Sequence, residues 1–189
     1  GAIAALLVGF VATLASSNYM FSLYTFFFSS SKATKVKAEE KKKIEGKEFK
    51  DGGQRDWVQV TCNGAVITVL ALLYIVEMNG FGFDRQVNFE REPSGCWLSM
   101  ALLGALACCN GDTWASELGS VLTAKAPFLI TTFRAVPRGT NGGVTFVGLF
   151  MSLAGGLVVG AAYWLTVFVM YYDMIGLDIF KKDYYIPPQ

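Results

Sequence analysis

The sequence predicts an all-α fold, a polytopic transmembrane helical bundle with about four spans, from its composition and the arrangement of its apolar residues. Of its 189 residues, 53% are hydrophobic, 14% are aromatic and only 16% are charged, which leaves too little polar surface to cover a soluble fold. The apolar residues are also collected into long segments with polar stretches between them. We therefore expect residues 1–189 to form a single membrane domain.

Composition also excludes several classes of function. A net charge of +1 does not suggest a nucleic-acid partner, and the absence of His removes the commonest general base and metal ligand. The cysteines lie in or beside apolar stretches without CxxC spacing, which indicates packing thiols rather than a zinc site or a disulfide scaffold. Because an apolar stretch follows Gly1 directly, we expect a fragment or a processed chain.

The first apolar segment, from Ala2 to Phe28, allows two interpretations. It is long enough to form one tilted span, or it breaks near Ser16 into a span followed by an aromatic interfacial turn. The remaining segments are predicted as one span each, of which the middle one is short by itself. These segments are Trp57 to Val76, about Cys96 to Cys109, and about Val144 to Tyr172.

Glycines in the last segment predict close helix packing. Gly156 and Gly160 are four residues apart, a spacing that lets another membrane helix approach. We expect the same role for Gly64 and Gly104.

The polar stretches predict orientation. Residues 32–56 form a charged loop, and residues 31–56 hold eight Lys and one Arg against six acids, whereas residues 77–92 hold two Arg and four acids. The lysine-bearing loop should therefore face the cytosol-like side, and crossing alternately places residues 110–143, a motif-bearing loop, on that same side. Lys and Glu alternate from Lys35 to Lys50, which is typical of a solvated helix. Contact with anionic lipid headgroups or nucleotide phosphate is the alternative.

Two carboxylates follow the short middle segment. Asp112 and Glu117 are functional candidates because acids near a bilayer core are tolerated mainly beside a polar cavity, a partner or a metal. Five residues of helix separate them by about 140°. Joint metal binding would therefore need a break in the helix or a ligand lodged between helices.

A loop rich in Gly and hydroxyl groups, Val136 to Thr145, precedes the last segment. Glycines let backbone N–H groups approach an anion, and a following helix N-terminus adds its dipole. Arg138 or Arg134 could supply charge-assisted bonds to phosphate. The loop is not a Walker A motif, and an ordinary turn is the alternative.

Polar residues also enter the second apolar segment. Gln59 and Asn63 are four residues apart, so on a helix they lie one above the other and project into the bundle. Hydrogen bonding between helices without any ligand is the alternative. Ser29 to Ser31, before Lys32, suit either a loop end or a phosphate contact.

These motifs together resemble one family. Ser29 to Lys35, Gly52 to Gly64, Gly111 to Gly119 and Val136 to Thr145 occur in the order found in the transmembrane protein nineteen family. That family includes the plant phytyl-phosphate kinase of tocopherol synthesis. The resemblance covers nearly all of the chain. Family members continue past a stretch like residues 173–189 into further spans with another acid-bearing motif, and they also have earlier N-terminal spans, so the resemblance implies a chain truncated at both ends.

The resemblance implies an organelle-membrane enzyme that converts an isoprenyl monophosphate into its diphosphate, with Mg²⁺ and CTP or ATP as phosphoryl donor. The partners implied are therefore membrane lipid, isoprenyl phosphate and a nucleotide. A non-catalytic membrane protein, such as an accessory subunit associated with other membrane subunits, is the alternative; a transporter is less favoured. The roles implied are metal binding for Asp112 and Glu117, catalysis for these acids and Arg138, phosphate binding for Gly139, Thr140, Asn141, Gly142, Gly143, Thr145, Lys32, Lys35 and Arg55, and orientation within the bundle for Gln59 and Asn63.

Overall fold

The computed structural model describes residues 2–45, 57–82, 90–138 and 140–182. Helices dominate these residues, so the predicted helical class is confirmed. The elements in chain order are α1 (Ala2–Ala15), α2 (Ser17–Lys35), α3 (Ala38–Glu45), α4 (Trp57–Glu77), α5 (Pro93–Gly119), β1 (Phe128–Leu129), β2 (Gly143–Val144) and α6 (Phe146–Lys182).

Three helices of the described part are long and apolar enough to cross a membrane: α4, α5 and the stretch Phe146–Met170 of α6. Two of the predicted segments correspond closely to α4 and to this stretch. Helix α1 has 14 residues. Its length of about 21 Å is shorter than a hydrocarbon core of about 30 Å.

The first predicted segment is broken at Ser16. This residue is extended, with φ −172° and ψ 151°, and its hydroxyl accepts a hydrogen bond from the N–H of Asn18, which makes it the N-cap of α2. Of the two interpretations, the break is therefore correct. The aromatic residues after it lie in the 19-residue helix α2 rather than in an interfacial turn.

Helix α5 is longer than predicted. Residues 110–119, expected in the motif-bearing loop, are its last turns. The hydroxyls of Thr113 and Ser116 are accommodated in the helix by donating to the carbonyls of Cys109 and Asp112, four residues earlier. Gly111 permits close contact with α6, since a Cβ there would lie 2.7 Å from the carbonyl oxygen of Ser152.

The predicted charged loop is also helical where it is described. Residues 32–35 end α2 and residues 38–45 form α3, whereas residues 46–56 lie outside the described part of the chain. Lys37, with φ 49°, lies between the two helices. Its Nζ donates to the carbonyl of Val121, 3.2 Å away, which places α3 beside the C-terminal end of α5.

Helix α5 packs most extensively against α6, and also against α2 and α4. Small residues allow the α5–α6 contact: a Cβ at Gly155 would lie 3.1 Å from the backbone of Asn110, and one at Gly119 would lie 2.6 Å from Gly148. At Gly160 the structure describes no such contact, because a Cβ there would meet no described atom within 4 Å, so close packing at this residue stays a prediction. Gly104 is equally open, whereas a Cβ at Gly64 would lie 2.6 Å from Val8 of α1.

A short antiparallel hairpin, β1 and β2, connects α5 to α6. Phe128 of β1 stacks on Phe133 and contacts Phe146 at the start of α6. Thr145 Oγ1 lies 3.3 Å from the carbonyl of Gly119, so the hairpin ends where α5 ends. The hairpin, α3 and the C-terminal ends of α2 and α5 therefore share one end of the bundle.

Candidate functional site

A group of polar side chains lies inside the otherwise apolar bundle, between α2, α3 and α5, with α6 adjoining. All six are hydrogen-bonded to one another or to main-chain carbonyls of α2. We call this group the polar cluster; its members are Ser29, Ser30, Thr34, Lys41, Asn110 and Glu117.

Asn110 is completely buried and joins α5 to α2 and α6. Its Oδ1 accepts from the hydroxyls of Ser29, at 3.0 Å, and Ser30, at 2.9 Å. Its Nδ2 donates to the carbonyl of Gly155, 2.7 Å away. These bonds settle the orientation of the carboxamide. Asn110 was not among the residues assigned a role from the sequence, although it opens the acidic motif.

Lys41 is the buried cation of the polar cluster, only 2% exposed. Its Nζ donates to the carbonyls of Ala33, at 3.0 Å, and Thr34, at 2.8 Å, and to Oε2 of Glu117, at 2.6 Å. An ammonium group has three N–H donors, so all three are used. The expectation of a solvated helix from Lys35 to Lys50 is therefore wrong at Lys41.

Glu117 supplies the negative charge of the polar cluster. Its side chain is 26% exposed and forms an ion pair with Lys41. Its other oxygen, Oε1, lies 3.4 Å from the hydroxyl of Thr34. The charge of this partly buried carboxylate is thus compensated by a lysine.

Asp112 lies elsewhere on α5. It is exposed, and within the described residues its carboxylate has no hydrogen bond or ion pair. The helix continues unbroken through both acids, so the separation of about 140° holds. The described residues also contain no group of three His, Cys, Asp or Glu side chains that could hold a metal ion. Asp112 and Glu117 therefore do not fit one shared Mg²⁺ ion.

The Gly-rich loop forms two consecutive turns. The N–H of Thr140 donates to the carbonyl of Pro137, and the N–H of Gly143 donates to the carbonyl of Thr140. Gly142 has φ +77°, a conformation that favours glycine. Two N–H groups expected to bind phosphate are thus used within the loop. Gly139 lies outside the described residues.

Thr145 has a structural role in this arrangement. Its Oγ1 accepts from the N–H of Gly148, 2.9 Å away, which is the N-cap bond of α6. Arg138 is exposed and donates to the carbonyl of Thr123, 2.6 Å away. Asn141 is exposed in the loop.

The remaining predicted residues lie outside the polar cluster. Lys32 and Lys35 are exposed on the last turn of α2, and Arg55 lies outside the described residues. Gln59 and Asn63 belong to α4, which does not contribute to the polar cluster; Gln59 is exposed and Asn63 is half-buried.

The chain is similar in sequence to several known membrane proteins. The profile of the family described as Integral membrane protein DUF92 matches residues 1–181. The chain is 40% identical over 188 residues to Protein PGR of Arabidopsis thaliana, covering 100% of this chain and 63% of PGR. It is 29% identical over 161 residues to an uncharacterised membrane protein of Methanocaldococcus jannaschii, covering 85% of this chain and 58% of that protein.

A third relative is the chloroplastic Protein VTE6 of Arabidopsis thaliana. It is 30% identical over 154 residues, covering 81% of this chain and 42% of VTE6. The chain thus spans less than two thirds of the length of each of these relatives. No solved structure matches the chain significantly.

Proposed function

Because this chain belongs to the DUF92 family of integral membrane proteins, we propose that it acts, alone or as part of a longer protein, as an isoprenyl-phosphate kinase. The substrate would be a lipid monophosphate in an organelle membrane, and the donor a nucleotide with Mg²⁺. We also propose that the chain belongs to the transmembrane protein nineteen branch of this family. The similarity to VTE6 supports it through the family resemblance described above.

The observation that carries the proposal is the polar cluster. A buried ammonium and a carboxylate inside an apolar bundle are expensive, and such groups mark functional sites in membrane proteins by default. Phosphoryl transfer depends on positioned cations and hydrogen-bond donors rather than on a covalent nucleophile. Lys41 and the hydroxyls of Ser29 and Ser30 are donors of that type. Each of them bonds to a protein oxygen in this conformation, so the proposal requires a bound phosphate to replace those oxygens.

The proposed reaction is an in-line transfer. An oxygen of the lipid phosphate attacks the terminal phosphorus of the nucleotide, the bond from that phosphorus to the bridging oxygen breaks, and the nucleoside diphosphate leaves with the electron pair. Lys41 would approach the transferred group, and Glu117 would orient Lys41. Arg138, Lys32 and Lys35 are proposed to contact the nucleotide phosphates from the exposed side, and Asp112 would hold the Mg²⁺ that accompanies the nucleotide.

A second candidate function is supported by the way in which the polar cluster is closed. Lys41 uses all three of its donors on protein oxygens, and Asn110 is bonded to three partners. A network whose donors and acceptors are all bonded within the protein can hold helices together without binding any ligand, as in a non-catalytic subunit of a membrane complex. The two functions differ in whether the cluster ever receives a ligand.

The test is a transfer assay with complete protein in detergent. Prenyl alcohols and prenyl monophosphates would be offered with CTP or ATP and Mg²⁺, and labelled lipid product measured. Lys41→Met should lower kcat by about 100-fold or more, the usual effect of removing one charge-stabilising donor. The matched control is Lys37→Met, at the residue immediately before α3, whose side chain is 45% exposed. Absence of transfer to every acceptor would refute the kinase and favour the non-catalytic subunit.

A further inference from the structure

The oxygen atoms around the Lys41 ammonium form a cage that could also bind a metal cation. We infer that this cage is a binding site for a hard metal cation, which Lys41 occupies in the present conformation. Helix α3 thereby carries an internal competitor for the site. The place of this site in catalysis rests on the proposed function, but its existence does not.

The donor set is that of a cation site. Nζ of Lys41 is surrounded by the carbonyl oxygens of Ala33 and Thr34 and by Oε2 of Glu117. Carboxylate and main-chain carbonyl oxygens are the ligands that Ca²⁺ prefers.

The electrostatics of the cage also demand a positive charge. Ala33 and Thr34 belong to the last turn of α2, where the helix dipole is negative. The carbonyl of Ala33 also accepts a hydrogen bond from the N–H of Val36, 3.1 Å away, and has a second lone pair for Lys41. Without Lys41, the carboxylate of Glu117 would be left uncompensated beside these carbonyls.

Lys41 belongs to a short helix, α3, which we expect to detach from the bundle more easily than the longer helices. Helix α3 has eight residues, too few to be stable alone. Among the described residues, the side-chain hydrogen bonds that join this segment to the rest of the bundle come from Lys41, on α3, and from Lys37, which immediately precedes the helix. A cation that displaced the Lys41 ammonium would therefore remove the three bonds made by Lys41 and leave the one made by Lys37.

The dimensions of the cage favour a cation larger than Mg²⁺. The three oxygens lie 2.6 to 3.0 Å from Nζ. Directly bound Ca²⁺ takes oxygens at about 2.3–2.6 Å, whereas Mg²⁺ requires about 2.0–2.1 Å and keeps several waters. Contraction onto Ca²⁺ is therefore smaller, and we expect Ca²⁺ to bind more tightly than Mg²⁺.

The test is rescue of a lysine deletion by metal. Lys41→Ala in detergent should unfold at a lower temperature than the wild type, and CaCl₂ about 100-fold above its Kd should raise its Tm by about 5 °C or more. MgCl₂ should raise it less at equal concentration and equal ionic strength. Lys37→Ala, which removes the exposed lysine immediately before α3, should show no such rescue. Glu117→Gln added to Lys41→Ala should abolish the rescue.

A second measurement decides the matter if Lys41→Ala does not fold. Wild-type protein would be treated with an amine-reactive ester, and labelling of each lysine quantified by peptide mass spectrometry. Lys41 should be protected without metal and become labelled with Ca²⁺, whereas labelling of Lys37 should not change.

The inference is overturned if no cation rescues folded Lys41→Ala, or if the rescue persists after Glu117→Gln. Where the variant does not fold, unchanged Lys41 labelling overturns it. Both measurements are independent of phosphoryl transfer, so their failure is distinguishable from failure of the kinase proposal.

Discussion

Asn110 provides the most direct test of how the polar cluster holds the bundle together. Asn110→Ala removes two bonds accepted from Ser29 and Ser30 and one donated to Gly155. Hydrogen bonds between membrane helices contribute about 0.6 kcal/mol each on average, so the three amount to about 2 kcal/mol. For a chain of this size that corresponds to a Tm lower by roughly 4–8 °C.

The assay is thermal unfolding of the purified protein in one detergent. The matched control is Asn63→Ala, because Asn63 is the same residue type on a neighbouring helix and only half-buried. This control should lower Tm by at most about 1–2 °C, as expected for a loss below about 0.5 kcal/mol. A double-mutant cycle of Asn110→Ala with Ser30→Ala should give a coupling of about 0.6 kcal/mol.

The reasoning would be refuted by equal Tm values for the two asparagine variants. It would also be refuted by strict additivity of Asn110→Ala and Ser30→Ala, because residues that share a hydrogen bond must be coupled.

Two further predictions concern the N-terminal end and the interior of α6. Thr145→Val removes the N-cap bond to Gly148 and should lower stability by about 1 kcal/mol, or roughly 2–4 °C in Tm. Thr140→Val, in the exposed loop, is the control and should have a smaller effect. A lost nucleotide response at unchanged Tm would instead indicate that Thr145 binds phosphate. Gly155→Val should give little folded protein by size-exclusion chromatography, because its Cβ would lie 3.1 Å from the backbone of α5. Gly160→Val, with no described atom within 4 Å of the Cβ position, should fold. Equal yields of the two variants would contradict the assigned α5–α6 contact.

The structure also explains why the two candidate acids were indistinguishable in the sequence. Asp112 and Glu117 are close in the chain and equally unusual near apolar residues. Helical phase separates them, because it turns Glu117 toward α2 and α3 and leaves Asp112 exposed. That phase mattered only once α5 was known to continue to Gly119. The extent of α5 depends on contacts with α6 that no local pattern contains.

Lys41 illustrates the same limit. It belongs to a run of lysines and glutamates that predicts a solvated helix, and its helical conformation follows from that run. Its burial does not follow, because the carboxylate that pairs with it lies 76 residues away in the chain. Asn110 and Ser29, separated by 81 residues, meet for the same reason.

Composition and hydropathy alone determined the membrane class, the helical architecture and the positions of α4 and the main part of α6. They suffice because a bilayer core requires every backbone hydrogen bond to be made within a helix and every lipid-facing side chain to be apolar, and both requirements can be read from neighbouring residues. Tertiary structure decided which polar groups meet. Partners such as Lys41 and Glu117 come together only through the packing of helices that are distant in sequence, where a rotation of one helix changes every contact.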